Sequence, residues 1–344
     1  MELLKSWIRK LLFLKPQLSI IIPFYNSEDY ILKCMESIVL HTKVPYEIVC
    51  VNDGSTDKTL AIVNRFRLTH PQVRLVDLKI NTGLYHARLM GISKARGTYI
   101  GFVDSDDYVS DGYFDLLYEA AINSGSDISV GQIVNVNTNN VKYVQTRCAV
   151  FPYTSEKATV SNLYDLYWKQ QGKCYHWHVV WNKIYKRKLF MDNIELLKKQ
   201  TEHLVMLEDF IFSSMILKDV NKYSVNTQAK YFYVEHKSAA TKNENYAVIS
   251  KNIADMKIAF GYVEAFLKEN LSYRQFIDDF AEWKSRYGRY WKRNIQNLKL
   301  QQKEKQLLMN SLKKIVGEDI ADLTTTDEFY YEKAIIFDET HNGS

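Results

Sequence analysis

Proline is scarce in this chain, with 5 in 344 residues. That excludes a linker-rich architecture. The 4 cysteines, Cys34, Cys50, Cys148 and Cys174, form no CxxC pair and no zinc spacing. They read as reduced, buried thiols of a cytosolic protein. No run approaches the ~18 apolar residues that span a membrane. There is no GxxxxGK[ST] and no GxGxxG after the first strand, so a P-loop ATPase and a dinucleotide-binding site are both poor readings. No internal repeat or low-complexity tract is visible. The net charge of +5 is too mild to argue for nucleic acid and suits a partner that carries phosphates.

What is present is an ordinary globular composition, 46% hydrophobic and 25% charged. The length suffices for one large domain, or one domain with an appendage. Aromatics reach 13%, which feeds a core and also suits sugar-binding surfaces. Residues 1–16 mix Lys5, Arg9, Lys10 and Lys15 with Leu4, Trp7, Ile8 and Leu11 at helical spacing. No small-residue cleavage site follows, which argues against a signal peptide. Two readings stay open: a basic amphipathic helix on a membrane surface, and a helix packed on the protein's own body.

The first half alternates strand and helix. "LSIIIPFY" (18–25) and "YEIVCVND" (46–53) read as buried strands, and "VRLVDL" (73–78), "TYIGFVD" (98–104) and "SDISVGQI" (126–133) as further strands. Helices are expected between them, with Ser27 capping the first and Ser55 or Thr56 the second. Such alternation means a mostly parallel, doubly wound α/β sheet, whose ligand site lies beyond the carboxyl ends of the strands. Every one of those ends is polar: Tyr25 and Asn26; Asp53, Ser55 and Asp57; Lys79 and Asn81; Asp104, Ser105, Asp106 and Asp107. From about residue 246 the pattern is mostly helical and aromatic.

Two constellations stand out at the strand ends. In "VNDGSTD" (51–57), turn and cap chemistry accounts for the glycine and hydroxyls but leaves Asp53 over. In "DSDD" (104–107), Asp104 and Asp106 suit a hard divalent cation, Mg²⁺ or Mn²⁺, which would neutralise a diphosphate leaving group. Asp107 and Asp111 read as helix-capping acids. Downstream, Glu208 and Asp209 sit at a helix start, where the dipole favours carboxylates. His176, Trp177, His178 and Trp181 suggest an acceptor surface; HxH as a zinc pair lacks further nearby ligands. Asn182 and Lys183 adjoin that surface. Trp283, Arg286, Tyr287, Arg289, Tyr290 and Trp291 read as core at helical spacing. The alternative is a membrane or partner surface.

"SIIIPFYN", "VNDGSTD", "NTGLYHARLMGISKARGTYIGFVDSDD", "WNKIYKRKLF" and "LEDFIF", in that order, resemble an inverting family-2 glycosyltransferase of the GT-A fold. The resemblance is strong over 18–135, weakens through 175–241 and is absent beyond about 245. It implies a GT-A catalytic domain over 17–243, with a nucleotide-sugar half (17–135) and an acceptor half (136–243). A helical region over 244–344 follows. It further implies a UDP-sugar donor, with Pro23 and Tyr25 lining the nucleoside pocket and Asp53 reading uracil. Asn81 and Arg88 would border the nucleotide, and Arg88 could also pair with the aspartates. Asp104 would reach ribose or metal, Ser105 would flank the sugar and Asp106 would bind the metal most directly, with His236 a candidate to complete its shell. Asp209 would be the general base for an acceptor hydroxyl, and Glu208, His178, Trp181, Asn182 and Lys183 would face the acceptor. Leu89 departs from the family pattern, which often has Asn after the Ala-Arg pair.

The product would then be a β-glycoside on a surface-glycan or lipid-linked acceptor. The setting would be the cytoplasm, at the inner face of the membrane, with no nucleic acid partner. Homo-oligomers through the C-terminal helices are compatible with this. A sugar nucleotidyltransferase, which would need a basic glycine-rich loop after strand one, and an inactive glycan-binding module are the competing readings.

Overall fold

The apolar runs form the strands expected of them. The computed structural model describes residues 15–145, 163–169, 175–236, 245–318, 320–321 and 334–336. The amphipathic segment over 1–14 lies outside them, as do Cys148 and Cys174. The first half contains β1 (Leu18–Phe24), α1 (Ile31–Val39), β2 (Tyr46–Asn52), α2 (Thr59–Phe66), β3 (Val73–Asp77), α3 (Leu84–Lys94), β4 (Tyr99–Phe102), β5 (Tyr108–Val109), α4 (Tyr113–Ser124) and β6 (Ile128–Val136). Then come β7 (Lys142–Gln145), α5 (Leu163–Lys169), α6 (Tyr175–His178), β8 (Lys183–Lys186), α7 (Arg187–Asp192), α8 (Ile194–Leu197), α9 (Glu208–Ile216) and β9 (Tyr223–Val234). Three helices, α10 (Tyr246–Glu269), α11 (Ile277–Asn297) and α12 (Gln302–Val316), and the short β10 (Ala334–Ile336) complete the described chain.

The sheet runs β10-β7-β6-β8-β4-β1-β2-β3. The four strands β4-β1-β2-β3 are parallel to one another. All seven residues of β1 are buried, as a strand covered on both faces requires. Ile31, Cys34, Met35 and Ile38 of α1 present one apolar stripe to the sheet. The other half is mixed: β8 joins antiparallel to β4 and β6, and β9 runs parallel to β6.

Two expected helix caps are displaced. The backbone N–H groups of Tyr30 and Ile31 do bond to the Ser27 carbonyl, but the Ser27 hydroxyl meets that of Ser105, 2.7 Å away. In α2 the capping acceptor is Asp57, which takes the Thr59 N–H at 3.0 Å. Ser55 and Thr56 instead bond across to Asn26 of the neighbouring loop.

The C-terminal helices are not a separate body. One hydrophobic cluster runs from Leu18 to Leu312 and includes Phe210, Phe260, Phe280 and Trp283. Trp283 and Trp291 are buried, so the core reading holds for them. Among the described residues no helix is long and apolar enough to cross a membrane. Cys34 and Cys50 are buried free thiols.

Candidate active site

The loops after β1, β2 and β3 are laced together at the sheet's carboxyl edge. Asn26 takes φ 49°, a left-handed conformation that Asn tolerates, and its Oδ1 accepts the Thr56 N–H at 2.8 Å. Asp53, at the tip of β2, accepts from Thr82 N–H at 2.7 Å, from Thr82 hydroxyl at 2.8 Å and from Gly83 N–H at 2.9 Å. It therefore anchors the loop entering α3 as well as facing the cleft. A carboxylate has room for about four donors, so one more can be accepted. Gly54 has φ 76°, and a Cβ there would lie 2.6 Å from the Ile80 carbonyl carbon. No other residue allows the β2 and β3 loops to approach so closely.

These loops wall a cleft of about 500 Å³. Pro23, Tyr25, Asp53, Asn81, Asp104, Ser105, Asp106 and His236 all line it. The nucleotide-side and metal-side residues expected from sequence are thus brought together, except Arg88, which lies beneath. Tyr30, Val205 and Tyr233 also line the cleft and were not anticipated. Each comes from a segment whose local pattern says only helix, loop or strand.

Arg88, on α3, is only 1% exposed. Its Nη2 donates to Asp104 at 2.6 Å, and its Nη1 donates to Glu208 at 2.6 Å and to Asp209 at 2.7 Å. One guanidinium thus joins the end of β4 to the start of α9. Burial pushes Asp209 up to about 6; Arg88 opposes the rise and Asp104 adds to it, while Lys183 also favours the charged form. Burial and then the charge of Asp209 push Glu208 further up, to about 8. Leu207, just before them, has φ 63°, a strained position for a branched side chain.

In the "DSDD" loop the acids divide. Asp106 keeps 44% of its side chain exposed and lines the cleft. His236 Nε2 lies 3.9 Å from Asp106 Oδ2. This nitrogen is buried and has no hydrogen-bond partner among the described residues. An orphaned imidazole nitrogen facing a carboxylate oxygen is a donor pair that fits Mn²⁺. Among the described residues no trio of His, Cys, Asp or Glu side chains is grouped for an ion, so the rest of any shell would come from diphosphate oxygens and water. Asp107 does not cap α4, whose N-cap is Gly112. It is buried and accepts from Tyr231 hydroxyl and Val234 N–H, both at 2.8 Å, tying this loop to β9. Asp111 faces His41.

The acceptor-side candidates are placed more deeply than expected. His178 packs among Phe210, Trp283 and Tyr287. Trp181 stacks on Tyr233, whose ring faces it at 5.4 Å. Asn182 donates to the Gly131 carbonyl at 3.2 Å, and the Lys183 ammonium bonds to the Val179 carbonyl and to Asn182. All four are buried. Of these, Lys183 acts on the charge of Asp209, whose carboxylate also takes the Val180 N–H.

A family model described as Glycosyl transferase family 2 matches residues 19–191. The chain is 33% identical over 174 residues to "Glycosyltransferase GlyA" of Streptococcus pneumoniae, covering 51% of this chain and 25% of that protein. It is 31% identical over 234 residues to the "Poly(ribitol-phosphate) beta-glucosyltransferase" of Bacillus spizizenii, covering 65% and 34%. The chain thus spans only about a quarter and about a third of the length of these two relatives. The crystal structure of S. aureus TarS 1–349 in complex with UDP-GlcNAc matches with TM-score 0.53 and 22% identity, over 87% of this chain and 88% of that one. This likeness shows a shared fold.

Proposed function

The chain belongs to glycosyl transferase family 2, and from that premise we propose that it transfers a hexose or N-acetylhexosamine from a UDP-sugar to a glycan or lipid-linked glycan hydroxyl, inverting the anomeric centre. The observation that carries the reading is the cleft at the strand ends, with Asp104 and Asp209 held on one guanidinium. Its volume suits a nucleotide sugar. A fold neighbour solved with UDP-GlcNAc supports the donor class. A relative named as a beta-glucosyltransferase of poly(ribitol-phosphate) supports the β product and a surface-glycan setting.

Pro23, Tyr25, Asp53 and Asn81 take the nucleoside end, and Asp104 and Ser105 the sugar-phosphate end. Asp106 and His236 would hold a Mn²⁺ or Mg²⁺ ion, which when bound neutralises the leaving diphosphate. Asp209 accepts the proton of the attacking hydroxyl; a carboxyl raised to about 6 is ionised at neutral pH yet more basic than an ordinary aspartate. Arg88 and the Val180 N–H fix its orientation. Burial and the charge of Asp209 push Glu208 up as well, which disfavours a second negative charge beside the base.

The deciding experiment is a UDP-release screen over several UDP-sugars, with acceptor saccharides and with Mn²⁺, Mg²⁺ or chelator. Turnover dependent on metal is expected, and Asp209→Asn should lower kcat at least about a hundredfold with UDP affinity retained. Glycan binding without UDP release from any donor, or turnover retained in Asp209→Asn, would refute it.

A further inference from the structure

The strap over 203–207 connects two parts of the site. Val205 lines the cleft, His203 Nε2 meets Asn81 Oδ1 at 2.7 Å, and Leu207 leads directly into Glu208 and Asp209. On its α3 side the strap is pinned by the Tyr85 N–H, which donates to the Leu204 carbonyl at 3.1 Å. On its other side stands α10, from the helical region outside the family match. There Asp255, 0% exposed, accepts the Val205 N–H at 3.0 Å and the Met206 N–H at 3.1 Å. Lys251, one turn earlier, pairs with the other oxygen of Asp255 and also donates to the His203 carbonyl at 3.2 Å.

We propose that Asp255 is a positioning residue for transfer: from the C-terminal helices it clamps consecutive amides of the strap, setting Val205 against the donor and Asp209 against the acceptor. The proposal rests on reading the cleft as the donor site. A buried carboxylate is costly unless its oxygens are fully bonded. Apart from the Lys251 pair, the bonds of Asp255 run to the strap. Charge-assisted bonds to two adjacent N–H groups restrain the backbone on both sides of Val205. They also hold the strap where Leu207 must enter α9 at φ 63°. Lys251 supports Asp255 and shares the His203 carbonyl, so the clamp reaches three successive peptide units.

The test compares full-length Asp255→Ala and Asp255→Asn with Val263→Ala, a buried control on the same helix. Hydrogen exchange at the Val205 and Met206 amides, UDP affinity by calorimetry and donor KM and kcat are read for each. Loss of a bond to a charged group predicts about a tenfold effect or more. Asp255→Ala should therefore expose both amides to exchange, weaken UDP about tenfold and lower kcat. Asp255→Asn, which keeps one acceptor oxygen, should fall between it and the wild type and decides the matter where the alanine variant does not fold. Val263→Ala should lose thermal stability while keeping UDP affinity and donor KM within about twofold. Unchanged amide exchange, or kinetic losses no larger than those of Val263→Ala, would overturn the clamp. A wild type that binds no UDP would overturn the donor-site reading and the proposal with it. UDP binding equal in wild type and Asp255 variants would overturn the proposal alone.

Discussion

At the residue scale the informative quantity is the charge state of Asp209. Burial raises it, Asp104 raises it further, and Arg88 and Lys183 hold it down. The base proposed here works only when ionised, so activity should be lost as pH falls through the raised value near 6, well above the range of an exposed aspartate. Removing the cation Lys183 disfavours the carboxylate and lifts its pKa. Lys183→Met should therefore move the acid limb of kcat/KM to higher pH by several tenths of a unit or more. A limb that stays put or moves to lower pH would show that Lys183 does not act on the base. The candidates themselves were legible: an acid at a strand tip and an acid pair at a helix start are local patterns. The job of Asp107 was not. Its partners lie on β9, more than a hundred residues away, and nothing in "VDSDD" distinguishes a carboxyl that caps from one that ties two strands together.

At the scale of elements, the strands were legible because both faces of β1 and β2 are covered, which leaves continuous apolar runs. Helix starts were less so. Ser27 and Thr56 have the chemistry of caps, yet tertiary partners at the sheet edge claim their hydroxyls or amides. The loop between β3 and α3 shows the same competition. Gly83 has φ 91°, and a Cβ there would meet the Leu204 N and O at 2.8 Å. Gly83→Ala should thus push the strap off α3 and weaken UDP binding, on top of about 1–3 kcal/mol of strain, since φ 91°, ψ 155° is a region almost confined to glycine. Gly112 also has a positive φ, 65°, but its added Cβ meets nothing within 4 Å. Gly112→Ala, in the left-handed helical region, should lose about 1–2 kcal/mol in a thermal melt with UDP affinity unchanged. Equal UDP affinity in both variants would sever the link between this loop and the donor site.

At the scale of the molecule, the boundary expected near residue 243 marks a change of pattern and not an edge of the core. The sequence shifts there from strand–helix alternation to helical periodicity, and periodicity reports local structure without reporting what the helices pack against. They pack on the catalytic half. Trp283 of α11 meets Tyr167, Trp168, His178 and Phe210, and Phe210 follows Asp209 directly on α9. The helix that carries Asp209, the proposed base, is thus seated on the C-terminal region. A single contiguous core favours one cooperative transition. Calorimetry of the full chain should accordingly give a single unfolding endotherm. Trp283→Ala, which removes a core aromatic at a cost of about 3–5 kcal/mol, should lower that endotherm as a whole without splitting it. Two resolved transitions, with only the later-melting one shifted by UDP, would mean that the catalytic half stands alone. The seating of α9 on α11 would then be packing without consequence for the base.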